Sequence, residues 1–469
     1  MEDFVGRRRE LGVLERAYGR PESAFLPIYG RRRVGKSELI LEFMRDRPGI
    51  YFLGKKAPAG LQIREFLAEA SAALGQPLLA EVSATGWTEA LDLVLESAER
   101  SHLKGAKLVL ALDEFQWTVE ASPELPSILQ AGWDRKWKRS GRLLLILCGS
   151  YVGFMEREVL GRKSPLFGRR TEQILLRPFG YREAAEFHPG YSTVDRAKTY
   201  FLCGGIPLYL RYFSDRVSVE ANVAERILDE HAALYREPDF LLREELREVE
   251  NYHGVLLAVA LGDAEPRSMA TRIGIPERSL HYYLHNLVEL GYLRRGYPLR
   301  DGRRIKRHVR YEVDDPLLRF WFRFVFPRTS QLLRGGARQV LREHIRPALE
   351  GYFGLCFERL CREALPELYA REGVGAAFEI GQYWDKHTQI DVVGLRDDGW
   401  VDLGECKWGS VRSTRKVQDE LEERVARYPN PENRTVGRRI FCRRRPPARQ
   451  RVPEGTRWHS LEELYEPAD

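Results

Sequence analysis

Gly30-Arg31-Arg32-Arg33-Val34-Gly35-Lys36-Ser37 carries the spacing G-x-x-x-x-G-K-S. Glycines at its two ends let the backbone curl until successive N–H groups face one anion. A helix starting beside them adds its own N-terminal donors. Lys36 is then placed to reach the β- and γ-phosphates of a nucleotide, and the Ser37 hydroxyl to hold Mg²⁺. Gly30 to Ser37 are therefore the candidate ATP-binding residues. Further on, Lys107-Leu108-Val109-Leu110-Ala111-Leu112-Asp113-Glu114 is an apolar run closing on two carboxylates. Asp113 is expected in the Mg²⁺ shell, and Glu114 is expected to act as general base on the attacking water. A third constellation joins Asp391 with Glu405 and Lys407. It offers two carboxylates for a divalent metal (Mg²⁺ or Mn²⁺) and a lysine to orient water or stabilise a pentacovalent phosphate.

Each group needs an element to hold it. Phe25 to Tyr29 reads as a buried strand before the glycine loop, and Glu38 to Met44 as the helix after it. Glu10–Tyr18, Leu61–Leu74 and Trp87–Arg100 show helical spacing. Gly49–Gly54, the run ending at Asp113, Leu143–Cys148 and Glu172–Leu176 read as strands. The Asp113 strand is apolar throughout, as expected of a parallel strand covered on both faces. Helices are expected from Tyr181 to about Glu250, with Gly205 and Pro207 of Gly204-Gly205-Ile206-Pro207 ending one and starting the next.

Tyr252–Leu261 reads as an apolar helix, and Ser268 as the cap of another over Met269–Ile273. Gly274-Ile275-Pro276 is the turn before Ser279–Leu290, where Leu280, Leu284, Leu287 and Leu290 share one face. Arg278, His281, Tyr282 and His285 should then face outward, with a basic hairpin over Arg294–Arg310 that contains Arg300, Arg303, Arg304, Lys306 and Arg307. The aromatics of Tyr311–Val325 should pack against this module. Beyond Leu349 the order is α–β–β–β–α–β. Period two along Trp400–Trp408 puts Glu405 and Lys407 on one face, and the Gln389–Leu395 strand can bring Asp391 to them. Arg439–Cys442 reads as the last strand and Leu461–Leu464 as a short final helix. Seven arginines between Arg438 and Arg451 could track a phosphate backbone.

The chain has 469 residues, 43% of them hydrophobic. That is too long for one ordinary core and typical of globular domains. The apolar runs are too short for a membrane span and no signal peptide is visible, so a cytoplasmic location without membrane association is expected. The six cysteines form no C-x-x-C pair and read as buried thiols. Net charge is +7, which permits a nucleic-acid partner. Of the 75 basic residues only 13 are lysine. Lys407 is one of them, and an arginine could not replace its compact ammonium.

Taken together the sequence resembles the archaeal-type (AAA+/STAND-like) P-loop ATPases that carry a winged helix and a C-terminal restriction-endonuclease-like PD-(D/E)xK domain. Gly30 to Ser37, Asp113-Glu114, Gly204-Gly205-x-Pro207, Asp315-Pro316 and Gly404-Glu405-Cys406-Lys407-Trp408 carry the resemblance. It implies an α/β fold: a P-loop parallel sheet over 1–180, a helical lid over 181–250 and a winged helix-turn-helix over 251–315. Connecting helices over 316–348 and an α/β nuclease-like domain over 349–469 follow. It implies that Phe4-x-Gly6-Arg7 packs beside the adenine and that Ser150 bonds the γ-phosphate or the water. Arg169 or Arg170 would serve as a finger, and Glu358 on the first helix of the last domain would join the metal site. One departure is Gln389, where family members often have an acid. ATP hydrolysis on DNA is the expected activity. The alternatives are an ATP-gated switch with an inert DNA-binding platform, and a regulator that docks a protein partner or a second copy through the winged helix.

Overall fold

The computed structural model describes residues 4–100, 106–246, 248–263, 265–300, 303–304, 309–446 and 455–466, with backbone alone at 303–304. It divides into two compact units, Met1–Phe179 with Ile206–Leu208 and Gly180–Gly205 with Tyr209–Asp469. Apart from Ile206–Leu208, the expected lid, helix-turn-helix, connecting helices and last domain fall in the second. Among the described residues no helix is long and apolar enough to cross a membrane.

The first unit is built on a five-stranded parallel sheet in the order β2-β3-β4-β1-β5. The strands are β1 (Ala24–Tyr29), β2 (Gly49–Leu53), β3 (Leu108–Asp113), β4 (Leu143–Gly149) and β5 (Ile174–Leu175). Every residue of β1, β3 and β4 is buried, as central parallel strands require. β1 tolerates Pro27 because the proline shares the side of Phe25, whose N–H goes to the Thr171 hydroxyl at 3.1 Å. On that side β5 begins to pair only at Ile28, so no ladder donor is lost. This also shortens β5 from the expected Glu172–Leu176 to two residues.

In the second unit, helices Val249–Ala260, Pro266–Ile273 and Glu277–Glu289 are followed by β6 (Leu293–Gly296), β7 (Leu299–Arg300), β8 (Arg303–Arg304) and β9 (Arg310–Val313). β6 pairs with β9 and β7 with β8, both antiparallel. Leu280, Leu284 and Leu287 are buried, while Arg278, His281, Tyr282 and His285 are exposed, as their spacing predicts. Ser268 is not the cap expected of it. Its helix starts two residues earlier at Pro266, and its hydroxyl bonds the Asp263 carboxylate instead. Likewise Gly204, with φ +59°, rather than Gly205, ends the helix Thr193–Cys203. The aromatic run packs inward: Trp321 Nε1 donates to the Tyr235 carbonyl at 2.7 Å, and Phe320 and Phe324 meet Tyr352.

The hairpin does not stand clear of the protein. Leu299 is buried with Ile390, Val393 and Val401 in the core of the following sheet. A Cβ added at Gly381 would stand 3.1 Å from that of Leu299, so glycine is what lets the two approach. Arg310 is half-buried over the Trp384 ring. Lys306 and Arg307 lie outside the described residues.

The last sheet has the order β10-β11-β12-β13-β14, from β10 (Phe378–Trp384), β11 (Gln389–Arg396), β12 (Trp400–Lys407), β13 (Thr435–Cys442) and β14 (Thr456–Ser460). The first two pairings are antiparallel and the last two parallel. Helix Arg346–Arg371 precedes the sheet and Thr414–Arg427 links β12 to β13. β13 is therefore not the last strand. The arginines near it are engaged as well: Arg438 with Glu422, Arg443 with Glu350 and Arg445 with Glu463. Arg444 is exposed; Arg449 and Arg451 lie outside the described residues.

Arg439 is 1% exposed. Its two terminal nitrogens each bond a Glu372 oxygen at 2.6 Å, and Nε bonds Asp402 at 2.8 Å. Arg439→Met strands two carboxylates, and should lower the unfolding free energy of the second unit by about 3–5 kcal/mol in chemical denaturation. Burial, with Arg439 alongside, pulls the neighbouring His459 imidazole down to about 4. Its contribution is complete above the unfolded value of 6.5 and is lost as pH falls toward 4. His459→Gln should flatten stability against pH across that window; an unchanged slope would exclude His459 as its source.

Candidate nucleotide site and acidic cluster

The phosphate loop leaves β1 and enters the helix Lys36–Met44. Gly30 is obligatory because a Cβ there would lie 2.2 Å from the Leu176 carbonyl oxygen, and Gly35 because its φ is +88°. The loop is closed on itself. Lys36 Nζ donates to the Gly30 and Arg31 carbonyls at 2.9 and 3.0 Å. Burial lowers the pKa of this ammonium, while Asp113 and Glu114 act in the opposite sense. Arg31, Arg32 and Arg33 are half-buried and Val34 fully buried.

Asp113 is fully buried at the end of β3. Ser37 Oγ donates to its Oδ2 at 2.5 Å, and the Tyr51 hydroxyl to the same oxygen at 2.6 Å. Burial, then Asp113, raises the Tyr51 pKa, so Tyr51 stays a donor. Glu114 follows in the left-handed region at φ +48°, a conformation costly for a residue with a side chain. That turn aims its carboxylate at Ser150, whose hydroxyl donates to Glu114 Oε2 at 2.8 Å; Gln116 Nε2 donates to the same oxygen. The structure thus unites Lys36, Ser37, Asp113, Glu114 and Ser150, with Ser150 on Glu114.

Two contributors were not legible, and a third was legible in part. Tyr51 sits on β2, next to β3 in the sheet, and that order cannot be read locally. Gln116 is two residues beyond Glu114, where no local pattern marks it. Arg7, at φ +59°, sends Nη2 to the Val34 carbonyl at 2.8 Å and stacks 3.8 Å from the Phe179 ring; the Phe4-x-Gly6-Arg7 pattern was its signal. Of the two finger candidates, Arg169 is engaged by its neighbours. Its guanidinium grips Asp134 at 2.7–3.1 Å and also bonds the Pro165 and Phe167 carbonyls. Arg170 is exposed.

In the second unit Asp391 and Glu405 are buried on adjacent strands. Asp391 Oδ2 accepts from the Cys406 N–H at 3.0 Å. Glu405 is bound by Lys407 at 2.9 Å and by Arg424. Lys407 also meets Glu420 at 2.9 Å; these carboxylates hold its pKa up against burial. Glu358, half-buried on the long helix, is pushed up to about 8 by burial and then by Asp391. Among the described residues no three His, Cys, Asp or Glu side chains are gathered closely enough to hold a metal. Glu420 and Arg424, one turn apart on a helix after the strand, were missed because the strand alternation says nothing of what covers it.

Residues 4–213 match the model of an ATPase domain found predominantly in Archaea. Residues 321–419 match a family of archaeal and bacterial proteins of unknown function. An uncharacterized protein of Methanocaldococcus jannaschii is 29% identical over 426 residues, spanning 89% of this chain and 91% of that protein. An uncharacterized ATP-binding protein of the same organism is 43% identical over 44 residues, 9% of this chain and 75% of the other. In fold, the chain is similar to a Walker-type ATPase of Pyrococcus abyssi, with TM-score 0.50 and 22% identity over 69% of this chain and 97% of that one. Lys36→Ala should abolish nucleotide binding, whereas Glu114→Gln should retain it and lose turnover, measured by nucleotide titration and phosphate release. Equal loss of binding in both would refute that division of labour. With its phosphate loop, its buried Asp113 and the match across residues 4–213, the N-terminal region is similar to the P-loop ATPase domains found predominantly in Archaea, and the chain is an ATP-hydrolysing enzyme.

Proposed function

We propose that the chain is a Mg²⁺-dependent ATPase that acts on DNA, and that its C-terminal sheet is a restriction-endonuclease-like site for metal-dependent cleavage of phosphodiesters. The carrying observation is the pair of buried acids Asp391 and Glu405 on adjacent strands beside Lys407, with Glu358 near them on the long helix. Burial raises the pKa of Asp391, and burial together with repulsion from Asp391 raises those of Glu358 and Glu405, a penalty that a divalent cation relieves.

At the nucleotide site the Ser37 hydroxyl and Asp113 carboxylate are hard oxygen donors on one spot, the chemistry Mg²⁺ takes. They would hold the ion, which supplies charge neutralisation at the β- and γ-phosphates. Lys36 exchanges its loop carbonyls for phosphate oxygens. Glu114, fixed by Ser150 and Gln116, takes the proton of the attacking water. Arg169 and Arg170 are the candidate fingers, Arg170 being the exposed one.

At the acidic site Asp391 and Glu405 would hold Mg²⁺ or Mn²⁺, with Glu358 beside them to orient water; the ion would supply Lewis-acid polarisation of a phosphodiester. Lys407 stabilises charge developing on the phosphate. The exposed Arg278, His281, Tyr282 and His285 on Glu277–Glu289 support the reading of this module as a winged helix reaching the major groove. A second reading has its own observation. Glu405 already carries Lys407 and Arg424, the arrangement of an inert platform gated by ATP in a STAND-like switch.

DNA of varied structure, incubated with protein and Mg²⁺ or Mn²⁺ with and without ATP, separates the two. Cleavage by wild type, lost in Asp391→Ala and Lys407→Ala while ATP hydrolysis survives, is the expected outcome. Equal cleavage by both variants would refute the site. Salt-sensitive binding with no cleavage of any substrate would select the switch.

A further inference from the structure

The second unit contains a cavity of about 270 Å³ beside the acidic cluster, with Glu358 in its wall. Its chemistry is unlike that of the cluster. Arg310, Arg319, Arg323 and Arg362 line it, and among the described residues none is ion-paired to a carboxylate. A fifth arginine, Arg359, is matched by Asp314 at 2.8 Å. The other acid of the wall, Glu312, is bound by Arg294 and accepts from Gln382 at 3.0 Å.

The four unmatched guanidiniums are held by neutral groups. Arg310 donates to the Gln389 side chain at 3.3 Å, Arg323 to the Ala260 carbonyl at 3.2 Å and Arg362 to the Asp391 carbonyl at 2.6 Å. Arg319 Nε is shut off from solvent and has no hydrogen-bond partner. A buried donor without an acceptor is costly, and four cations in one half-enclosed space repel one another. A dianion on the guanidinium forks answers both.

We propose that this cavity binds a phosphate monoester, borne by the end of a nucleic-acid strand or by a free nucleotide. Its volume admits one nucleotide and not a duplex. Val259, Leu355 and Tyr352 in its wall suit a sugar or base, and the arginines a phosphate. The inference extends the nucleic-acid reading above and does not require cleavage.

The test uses full-length protein carrying Lys36→Ala, in EDTA, so that neither the phosphate loop nor metal-dependent cleavage contributes. The probes are single-stranded oligonucleotides with a 5′-phosphate, a 3′-phosphate or hydroxyls at both ends, together with a nucleoside monophosphate and inorganic phosphate. A phosphorylated end should bind about tenfold tighter than its hydroxyl twin, through bidentate guanidinium bonds. Arg319→Lys, which keeps the charge and removes the fork, and Arg323→Gln should each erase most of that preference. If all strand ends bind alike, binding of the nucleoside monophosphate that the same substitutions weaken assigns the site to a free nucleotide. Thermal melting checks both variants, and Arg323→Gln carries the test should Arg319→Lys unfold. No end preference together with no binding of nucleoside monophosphate or inorganic phosphate would overturn the proposal. So would phosphate binding that neither substitution changes.

Discussion

A carboxylate with no solvent exposure must be supplied with donors by the fold. Asp113 receives three: the Ser37 hydroxyl, the Tyr51 hydroxyl and the Glu114 N–H. They come from the phosphate-loop helix, from β2 and from the residue after β3, so the bond set forms only when the sheet has its order β2-β3-β4-β1-β5. Loss of a donor leaves a buried charge short of partners. The apolar interior of β3 serves this end: it carries Asp113 to the strand tip and keeps water away along the way.

The second unit solves a related problem with arginine. Asp402 takes Arg439 Nε and the Tyr369 hydroxyl, and Glu372 takes both ends of the Arg439 fork. A planar, always-charged fork can satisfy two acids at once, which a lysine cannot. The abundance of arginine is thus in part structural: Arg169, Arg438, Arg439, Arg443 and Arg445 all have acid partners in the folded chain.

What the sequence disclosed follows from the same physics. Elements whose signal is local were legible: Trp87–Arg100 has the bounds its spacing predicts, and the glycine loop announces its own backbone. Side chains meeting across the sheet, such as Tyr51 and Asp113, were not, because strand order sets their meeting. β14 escaped because Thr456-Arg457-Trp458-His459-Ser460 has no apolar run, although all but Arg457 are buried. At the acidic cluster, alternation correctly put Glu405 and Lys407 on one face. It could not reveal Glu420 and Arg424, which arrive on the helix that covers that face.

Leu299 gives the second unit a mechanical property. Its side chain belongs to the core of the last sheet while its backbone belongs to the hairpin after Glu277–Glu289, and the Tyr428 hydroxyl grips its carbonyl at 3.2 Å. Prising hairpin from sheet would expose a leucine at about 2–3 kcal/mol and strand that carbonyl. A pull on the helix is therefore borne by the same strands that carry Asp391 and Glu405. Hairpin and sheet act as one lever with Leu299 as its pin.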